Sequence, residues 1–289
     1  MKNKMLIIGI IIILIISTGC SLGKKPGDVE PESVDYHTGT EGLVLNLVEG
    51  RPPGKIWPGS DFLIEVELRN KGAHDIEGGK LKLHGFNPMY VSPSEEEKPI
   101  QTLYGKSFGY PEGDYALIQF KESNILAPPG KTPLSFTLSA EYDYATEASA
   151  EICVSPDITP LAKTIEAVCE VKEINLKGGQ GAPVAVTRIN EIPSYKGTNL
   201  NINFILDIEN VGKGEILGDI IVENVKVGTQ NLVCDKTDFK LKEDTKSARL
   251  KCELNMLRPS GPYTSILTAK FSYRYKTKLD SKIEVISEE

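Results

Sequence analysis

The stretch NILAPPGKTPLSFTLSAEYDYATEASAEICV, residues 124–154, recurs without a gap as NMLRPSGPYTSILTAKFSYRYKTKLDSKIEV, residues 255–285. Ten of the 31 aligned positions are identical, whereas ordinary residue frequencies give about 2 by chance. The identities include a Pro-x-Gly turn, at 128–130 and 259–261, and a Tyr-x-Tyr pair, at 142–144 and 273–275. A repeat of this length predicts two structurally similar copies in one chain.

A second match lies upstream of each copy. In Asp61–Leu68 (DFLIEVEL) and Asn201–Ile208 (NINFILDI), apolar and polar residues alternate as in a half-buried antiparallel strand. Asn-x-Gly follows both segments and suits a turn. The sequence therefore predicts an all-β chain of two tandem antiparallel β-sandwiches, residues 43–154 and 183–287, joined by a Gly- and Pro-containing linker, residues 155–182.

The order of these signals resembles the tandem CARDB-like and related immunoglobulin-like modules of archaeal and bacterial surface proteins. Three features carry the resemblance. They are the Pro58-Gly59 turn, the strands ending in Leu68-Arg69-Asn70-Lys71-Gly72 or Ile208-Glu209-Asn210-Val211-Gly212, and the later Pro-x-Gly turn. It covers residues 43–154 and 180–287. Such modules usually serve adhesion, spacing or scaffolding, and the resemblance implies this kind of role. Their loops differ from those of this chain, so the resemblance transfers no binding site.

The amino-terminal segment, residues 1–20, predicts export. Lys2 and Lys4 precede an unbroken apolar run, and small residues then precede Cys20, which resembles the lipobox of lipoproteins with Ser17 in place of the usual leucine. Lipidation of Cys20 is the expected outcome, and an uncleaved signal anchor is the alternative. Residues 21–42, rich in Gly, Pro and charge, are predicted to be a flexible tether. We therefore expect the rest of the chain outside the cytoplasm, anchored to the outer face of the cell membrane.

The remaining cysteines fit an oxidising compartment. Without Cys20, four of the five cysteines are left, and sequential pairing joins Cys153 with Cys169 and Cys234 with Cys252. Loops of this length contribute about 3 kcal/mol per bridge in the chain-entropy model. A zinc site is the alternative, but the chain has no CxxC pair and no histidine close to these cysteines in sequence.

Charge and motifs narrow the class of function. The formal net charge is −7 and there is no basic block, which argues against nucleic acid as a partner. The sequence contains no HExxH, GxSxG, P-loop or EF-hand motif, so we expect no enzymatic activity, cofactor or metal. Glu95–Glu97 lacks the alternating spacing of a calcium loop, although calcium binding there stays open.

Two functions from different classes follow. The first is a non-enzymatic surface lipoprotein whose modules serve adhesion, scaffolding or protein–protein interaction, with a protein partner in the cell envelope. The second is an exported carbohydrate-binding or hydrolytic protein with a site between the modules, because scattered carboxylates can form a catalytic pair. Gly105–Asp114 (GKSFGYPEGD) is either a recognition loop or a long hairpin connection. The Tyr-x-Tyr pairs either stack on a sugar or fasten loops to the core, as a tyrosine corner does.

Overall fold

The computed structural model describes residues 35–91, 93–123, 125–156 and 168–287. Within these ranges the chain is all-β, as predicted, and from Tyr36 onward it forms one compact unit. The predicted signal segment, Cys20 and most of the predicted tether lie outside the described residues. No helix in the described ranges is long and apolar enough to cross a membrane.

Strands make up most of the described chain. In chain order they are β1 Leu43–Leu47, β2 Lys55–Ile56, β3 Phe62–Asn70, β4 Gly79–His84, β5 Glu97–Ile100, β6 Tyr115–Glu122, β7 Gly130–Val154, β8 Ile174–Asn175, β9 Val184–Lys196, β10 Asn199–Asn210, β11 Glu215–Val227, β12 Gln230–Asn231, β13 Val233–Cys234, β14 Asp238–Phe239, β15 Ser247–Leu257 and β16 Tyr263–Ser287. Both alternating segments noted in the sequence lie on strands, within or overlapping β3 and β10.

The strands form three sheets. A three-stranded sheet has the order β1-β3-β6, and a five-stranded sheet has the order β13-β15-β10-β9-β8. The largest sheet follows the order β12-β11-β16-β7-β4-β5, with β14 beside β11 and β2 beside β16. All pairings are antiparallel except that of β2 with β16. The first copy of the repeat, residues 43–154, thus supplies the three-stranded sheet, and the second copy, residues 183–287, supplies most of the five-stranded one.

The two repeated stretches become one long ribbon. β7 and β16 pair along their full 25 residues, from Gly130 opposite Ser287 to Val154 opposite Tyr263. Asp143 faces Arg274 at the middle of this ribbon, and these two residues also occupy the same position in the aligned copies. A local two-fold axis therefore passes through this pair, and both copies belong to one continuous sheet.

Alternation along the ribbon sets its buried face. Even-numbered residues of β7 and odd-numbered residues of β16 face the interior, including Leu138, Tyr142, Leu267, Phe271 and Tyr275. They join residues from both smaller sheets in one hydrophobic cluster. Period-two patterning on a half-buried sheet explains why the ribbon tolerates charge at its other positions.

Four tyrosines meet where the two-fold axis crosses the ribbon. This tyrosine quartet consists of Tyr142, Tyr144, Tyr273 and Tyr275, whose rings contact one another edge to face with centroids 5.7–6.4 Å apart. The Tyr144 hydroxyl donates to Asn70 Oδ1 at 3.1 Å, and the Tyr275 hydroxyl donates to Asn210 Oδ1 at 3.0 Å. The same bond thus occurs once in each copy and ties the Asn-x-Gly turn to the core.

The other two hydroxyls of the quartet accept hydrogen bonds from the first residues of β1 and β9. Leu43 N donates to Tyr142 Oη at 2.9 Å, and Val184 N donates to Tyr273 Oη at 3.4 Å. All four rings are buried, and their hydroxyls contact protein groups. This arrangement supports the structural interpretation of the Tyr-x-Tyr pairs, since the rings have no free face on which a sugar could stack.

The described ends of the predicted tether and linker pack on each other. Gly39 N donates to Gly178 O at 2.7 Å, and Gly181 N donates to Gly39 O at 2.9 Å. Gly179 has φ +72°, and a Cβ there would lie 2.2 Å from Gly39 O, so only glycine fits. Gly181 O and Gly42 O also accept hydrogen bonds from Ala73 N at 2.7 Å and Lys71 N at 2.9 Å, so these ends of the predicted tether and linker are bonded to the first copy as well as to each other.

Candidate functional site

A loop rich in exposed aromatic side chains connects β5 to β6. This aromatic loop, Tyr104–Tyr115, contains the stretch that the sequence singled out as a recognition loop or hairpin connection. Phe108 is 92% exposed at its tip. Tyr104 and Tyr110 stack on each other with ring centroids 5.3 Å apart and 17° between their planes. Several aromatic rings thus face solvent within a short segment, an arrangement common at binding surfaces.

Local turns fix the conformation of the aromatic loop. Ser107 N donates to Tyr110 O and Tyr110 N donates to Ser107 O, both at 3.1 Å, which closes a tight turn around Phe108. Gly113 N then donates to Tyr110 O at 2.9 Å, and Pro111 at the second position of this turn favours it. The exposed rings are therefore presented by ordered backbone.

The base of the loop is bonded to the Asn70–Gly72 turn. Lys106 N donates to Gly72 O at 2.7 Å, and Asn70 N donates to Asp114 O at 2.9 Å. Gly113 has φ +80°, and a Cβ there would lie 1.7 Å from Asn70 O, so a side chain at this position is incompatible with the loop. Because Asn70 also contacts the tyrosine quartet, the loop is continuous with the buried core.

Charged groups surround the rings. The Arg69 guanidinium lies 4.7 Å from the centroid of the Tyr115 ring, and Arg69 Nε donates to Glu67 Oε1 at 3.0 Å. The hydrogen bond to Glu67 raises the pKa of Arg69, so the cation over the ring is held in its charged form. The surface combines flat apolar rings with fixed charges of both signs, which suits recognition of a mixed apolar and polar partner.

The second copy has no aromatic counterpart. Asn210 N donates to Lys246 O at 3.0 Å, as Asn70 N does to Asp114 O, so the loop ending at Lys246 occupies the equivalent place. Its residues 240–246 read KLKEDTK. Two copies with the same underlying bonds therefore differ in the exposed loop, and only the first carries rings there.

A charged groove of about 300 Å³ lies on the second copy instead. Asp207 accepts from Arg188 Nε at 2.7 Å and from Arg249 Nε at 2.9 Å, while Glu209 accepts from Thr187 Oγ1 at 3.0 Å. Burial opposes ionisation of Asp207, but the hydrogen bonds from Arg249 and Arg188 outweigh it and lower its pKa. Its carboxylate stays ionised and engaged, so it is a poor general acid.

A much smaller polar cavity, about 40 Å³, lies beside Ala145–Glu147 of β7. His37, His74, Glu147 and Lys270 are among its lining residues. Burial and the nearby Lys270 ammonium lower the pKa of His74, which favours the neutral imidazole. A space of this size holds little more than a water molecule.

The four cysteines outside residues 1–34 form two bridges. Cys153 is joined to Cys169, and Cys234 is joined to Cys252 directly across the β13–β15 pair, which is the sequential pairing. Sulfurs held in disulfides are not available as zinc thiolates. Among the described residues, no group of three or more His, Cys, Asp or Glu side chains could hold a metal ion. Two bridges indicate an oxidising, extracytoplasmic environment.

The acidic run Glu95–Glu97 contacts lysines. Glu95 Oε2 lies 2.8 Å from Lys98 Nζ, and Glu97 lies 2.9 Å from Lys80 Nζ and 3.4 Å from Lys82 Nζ. The hydrogen bond from Lys80 is the main cause of the lowered pKa of Glu97. At least two of the three carboxylates thus have ammonium partners, and Glu97 begins β5, whereas Glu95 and Glu96 precede it.

Two buried carboxylates escaped the sequence analysis. Glu122 at the end of β6 is 1% exposed and Glu191 on β9 is 6% exposed, and neither makes a well-formed side-chain hydrogen bond with the described residues. Burial raises the pKa of both to about 7, although the backbone of Ser94 and of Cys153 opposes part of the shift. Ionisation of such buried carboxyl groups lowers the free energy of unfolding.

No protein-family model matches this chain, and no curated protein matches it in sequence. The similarity to CARDB-like modules therefore rests on the residues quoted above and stays a hypothesis.

Proposed function

We propose that this chain is a non-enzymatic, membrane-anchored surface lipoprotein whose two immunoglobulin-like copies serve adhesion, scaffolding or protein–protein interaction. In this proposal the aromatic loop is the surface that contacts a protein partner in the cell envelope. The observation that carries it is the rigid presentation of exposed rings in one copy, where the other copy has a polar loop. Clusters of exposed rings surrounded by polar groups commonly mark interaction surfaces.

The charge distribution supports binding over catalysis. In the charged groove of the second copy, Asp207 accepts hydrogen bonds from two arginines and Glu209 accepts one from Thr187. An acid–base pair for hydrolysis needs one carboxyl with a raised pKa beside one that is ionised. Glu122 and Glu191 have raised pKa values, but both are buried, and Glu191 is only 6% exposed where it lines a groove of about 240 Å³ beside the Cys153–Cys169 bridge. These features favour the interaction role over the hydrolytic alternative.

The anchoring part of the proposal is tested at Cys20. Replacing Cys20 with alanine removes the only thiol that lipidation of residues 1–20 can use. We expect Cys20→Ala to prevent lipidation and to leave the unmodified precursor. The wild-type chain should instead begin with a diacylglyceryl-cysteine at its mature amino terminus. Mass spectrometry of protein purified from membranes distinguishes these products. An unlipidated wild-type chain that retains Met1 would instead establish the signal anchor.

The recognition part is tested at Phe108. Since this ring is almost fully exposed, Phe108→Ala should change stability by no more than about 0.5 kcal/mol. If Phe108 is a central contact, its loss should weaken binding by about 2 kcal/mol, which is about 30-fold. The measurement is binding of labelled, detergent-solubilised full-length chain to isolated cell envelopes from the source cells.

Val233→Ala is the matched control for Phe108→Ala, because Val233 is also exposed but lies on the second copy. It should bind like the wild type. Envelopes treated beforehand with protease should lose binding, and envelopes treated with periodate should keep it. Equal binding by Phe108→Ala and the wild type would refute the assignment of the loop. Loss of binding on periodate treatment alone would favour the carbohydrate-binding alternative.

A further inference from the structure

The small sheets of the two copies differ in how their edges are covered. Phe62 on β3 faces Glu122 on β6, and Ile202 on β10 faces Leu254 on β15. Because Phe62 and Ile202 are equivalent in the repeat, β6 and β15 are equivalent strands. β15 has β13 on its outer side, whereas β6 is the last strand of its sheet. Within the ranges that the structure describes, the first copy thus has no strand in the position that β13 occupies in the second.

In the second copy, the outer edge of β15 is satisfied. Val233 and Cys234 pair with Glu253 and Cys252. Further along, Asp235 N donates to Lys251 O at 2.8 Å, and Lys251 N donates to Asp235 Oδ1 at 3.0 Å. Leu232, beside this covering segment, is 9% exposed and belongs to the core. A short extended segment with an apolar side chain facing inward is therefore what this scaffold accepts at that edge.

In the first copy, the matching edge of β6 is open. Asn70 N donates to Asp114 O, so even-numbered residues of β6 direct their backbone groups toward β3 and odd-numbered residues direct theirs outward. Ser94 Oγ donates to Lys121 O at 3.0 Å at one end. Among the described residues, none bonds to the outward amide and carbonyl groups of Leu117 and Gln119.

The open edge adjoins the aromatic loop. β6 begins at Tyr115. Tyr115 and Leu117, whose backbone groups face the open edge, are each 53% exposed. β6 contains no proline, and Lys121 is its only lysine. Proteins usually protect such edges with charge, proline or a covering segment, because an unpaired strand is a template for another strand.

We propose that the edge of β6 binds an extended segment of a partner protein, which runs antiparallel to β6 and has apolar residues at alternate positions. The segment adds a fourth strand to the β1-β3-β6 sheet in the way that β13 covers β15, and its flanking residues contact the aromatic loop. Backbone hydrogen bonds supply affinity in this mode, and alternate side chains supply specificity. This inference rests on the proposed interaction function and names its partner class.

The test uses Leu117→Pro and a library of random nine-residue peptides displayed on phage, selected against the full-length chain in detergent. Proline removes the outward N–H of Leu117, while the β3–β6 bonds made by Ala116 and Ile118 remain. Leu117→Thr is the matched control, because it changes the side chain but keeps the amide. We expect enriched peptides with alternating apolar residues that bind Leu117→Pro at least about tenfold more weakly and bind Leu117→Thr within about threefold of the wild type.

Amide hydrogen exchange provides a second readout on the wild-type chain, so the test does not depend on the folding of Leu117→Pro. The amides of Leu117 and Gln119 should exchange rapidly alone and become protected when a selected peptide binds. Absence of enriched peptides, or protection confined to the aromatic loop, would overturn the inference. If the same amides become protected when the concentration of the chain is raised without any peptide, the edge binds a second copy of this chain. That result would also overturn the inference. If peptides protect these amides while Phe108→Ala leaves envelope binding unchanged, strand addition stands and the role of the loop fails.

Discussion

Replacing Asn70 with alanine is expected to lower the free energy of unfolding by about 3 to 4 kcal/mol, since each buried polar group left without a partner costs about 1 to 3 kcal/mol. Asn70 is fully buried. Its Nδ2 donates to His74 O at 2.8 Å and to Leu103 O at 3.0 Å, and its Oδ1 accepts from the Tyr144 hydroxyl and from Gly72 N. Alanine would remove all four bonds and leave their partners inside the protein.

Asn210→Ala is the matched control, because it removes the same Tyr–Asn bond from the second copy. Asn210 is only partly buried, and its side chain bonds to Tyr275 and to Gly214 O. We expect this change to cost about 1 to 2 kcal/mol, since water can reach the groups that it leaves. Denaturant titration of both variants measures the difference. Equal losses of stability in the two variants, or a loss below about 1 kcal/mol for Asn70→Ala, would show that the four hydrogen bonds of Asn70 do not contribute the expected stability to the first copy.

Replacing Glu191 or Glu122 with glutamine is expected to stabilise the protein at alkaline pH. Burial raises the pKa of each carboxyl from 4.5 to about 7, so the folded state binds the proton more tightly than the unfolded state does. The resulting penalty is absent below about pH 4.5, grows as the pH rises, and is complete above about pH 7. A shift of this size corresponds to about 3 kcal/mol per group as an upper limit.

Chemical denaturation at pH 4.5 and pH 8.5 tests this expectation. Each glutamine variant should exceed the wild type by up to about 3 kcal/mol at pH 8.5 and should differ little at pH 4.5. Glu151→Gln is the control, because Glu151 and Glu191 both line the groove beside the Cys153–Cys169 bridge, where Glu151 is exposed and Glu191 is buried. A stabilisation of Glu191→Gln that is the same at both pH values would mean that ionisation of the carboxyl is not its cause.

Local patterning predicted much of the fold. The alternation in DFLIEVEL and NINFILDI predicts strands because one face of each is buried, and β3 and β10 include or overlap these segments. The internal repeat pointed to two related copies, which appear as matching Tyr–Asn bonds. The full-length pairing of β7 with β16 was not predicted, because register between segments far apart in the chain is set by three-dimensional packing.

The candidate site shows the same division. Composition singled out the aromatic loop, since few other stretches combine glycine with aromatic residues. Composition could not reveal that Glu122 and Glu191 are buried, because acidic residues normally face solvent. The open edge of β6 also has no local signature. It became visible only when the strands around β6 and β15 were compared.

The β7–β16 ribbon has a mechanical consequence. Strands of 25 residues are about 80 Å long, and their interstrand hydrogen bonds lie across the strand direction. A force that pulls β16 lengthwise past β7 would load many of these bonds simultaneously in shear, instead of unzipping them in succession. The ribbon should therefore resist extension under such a force until its interstrand hydrogen bonds break together.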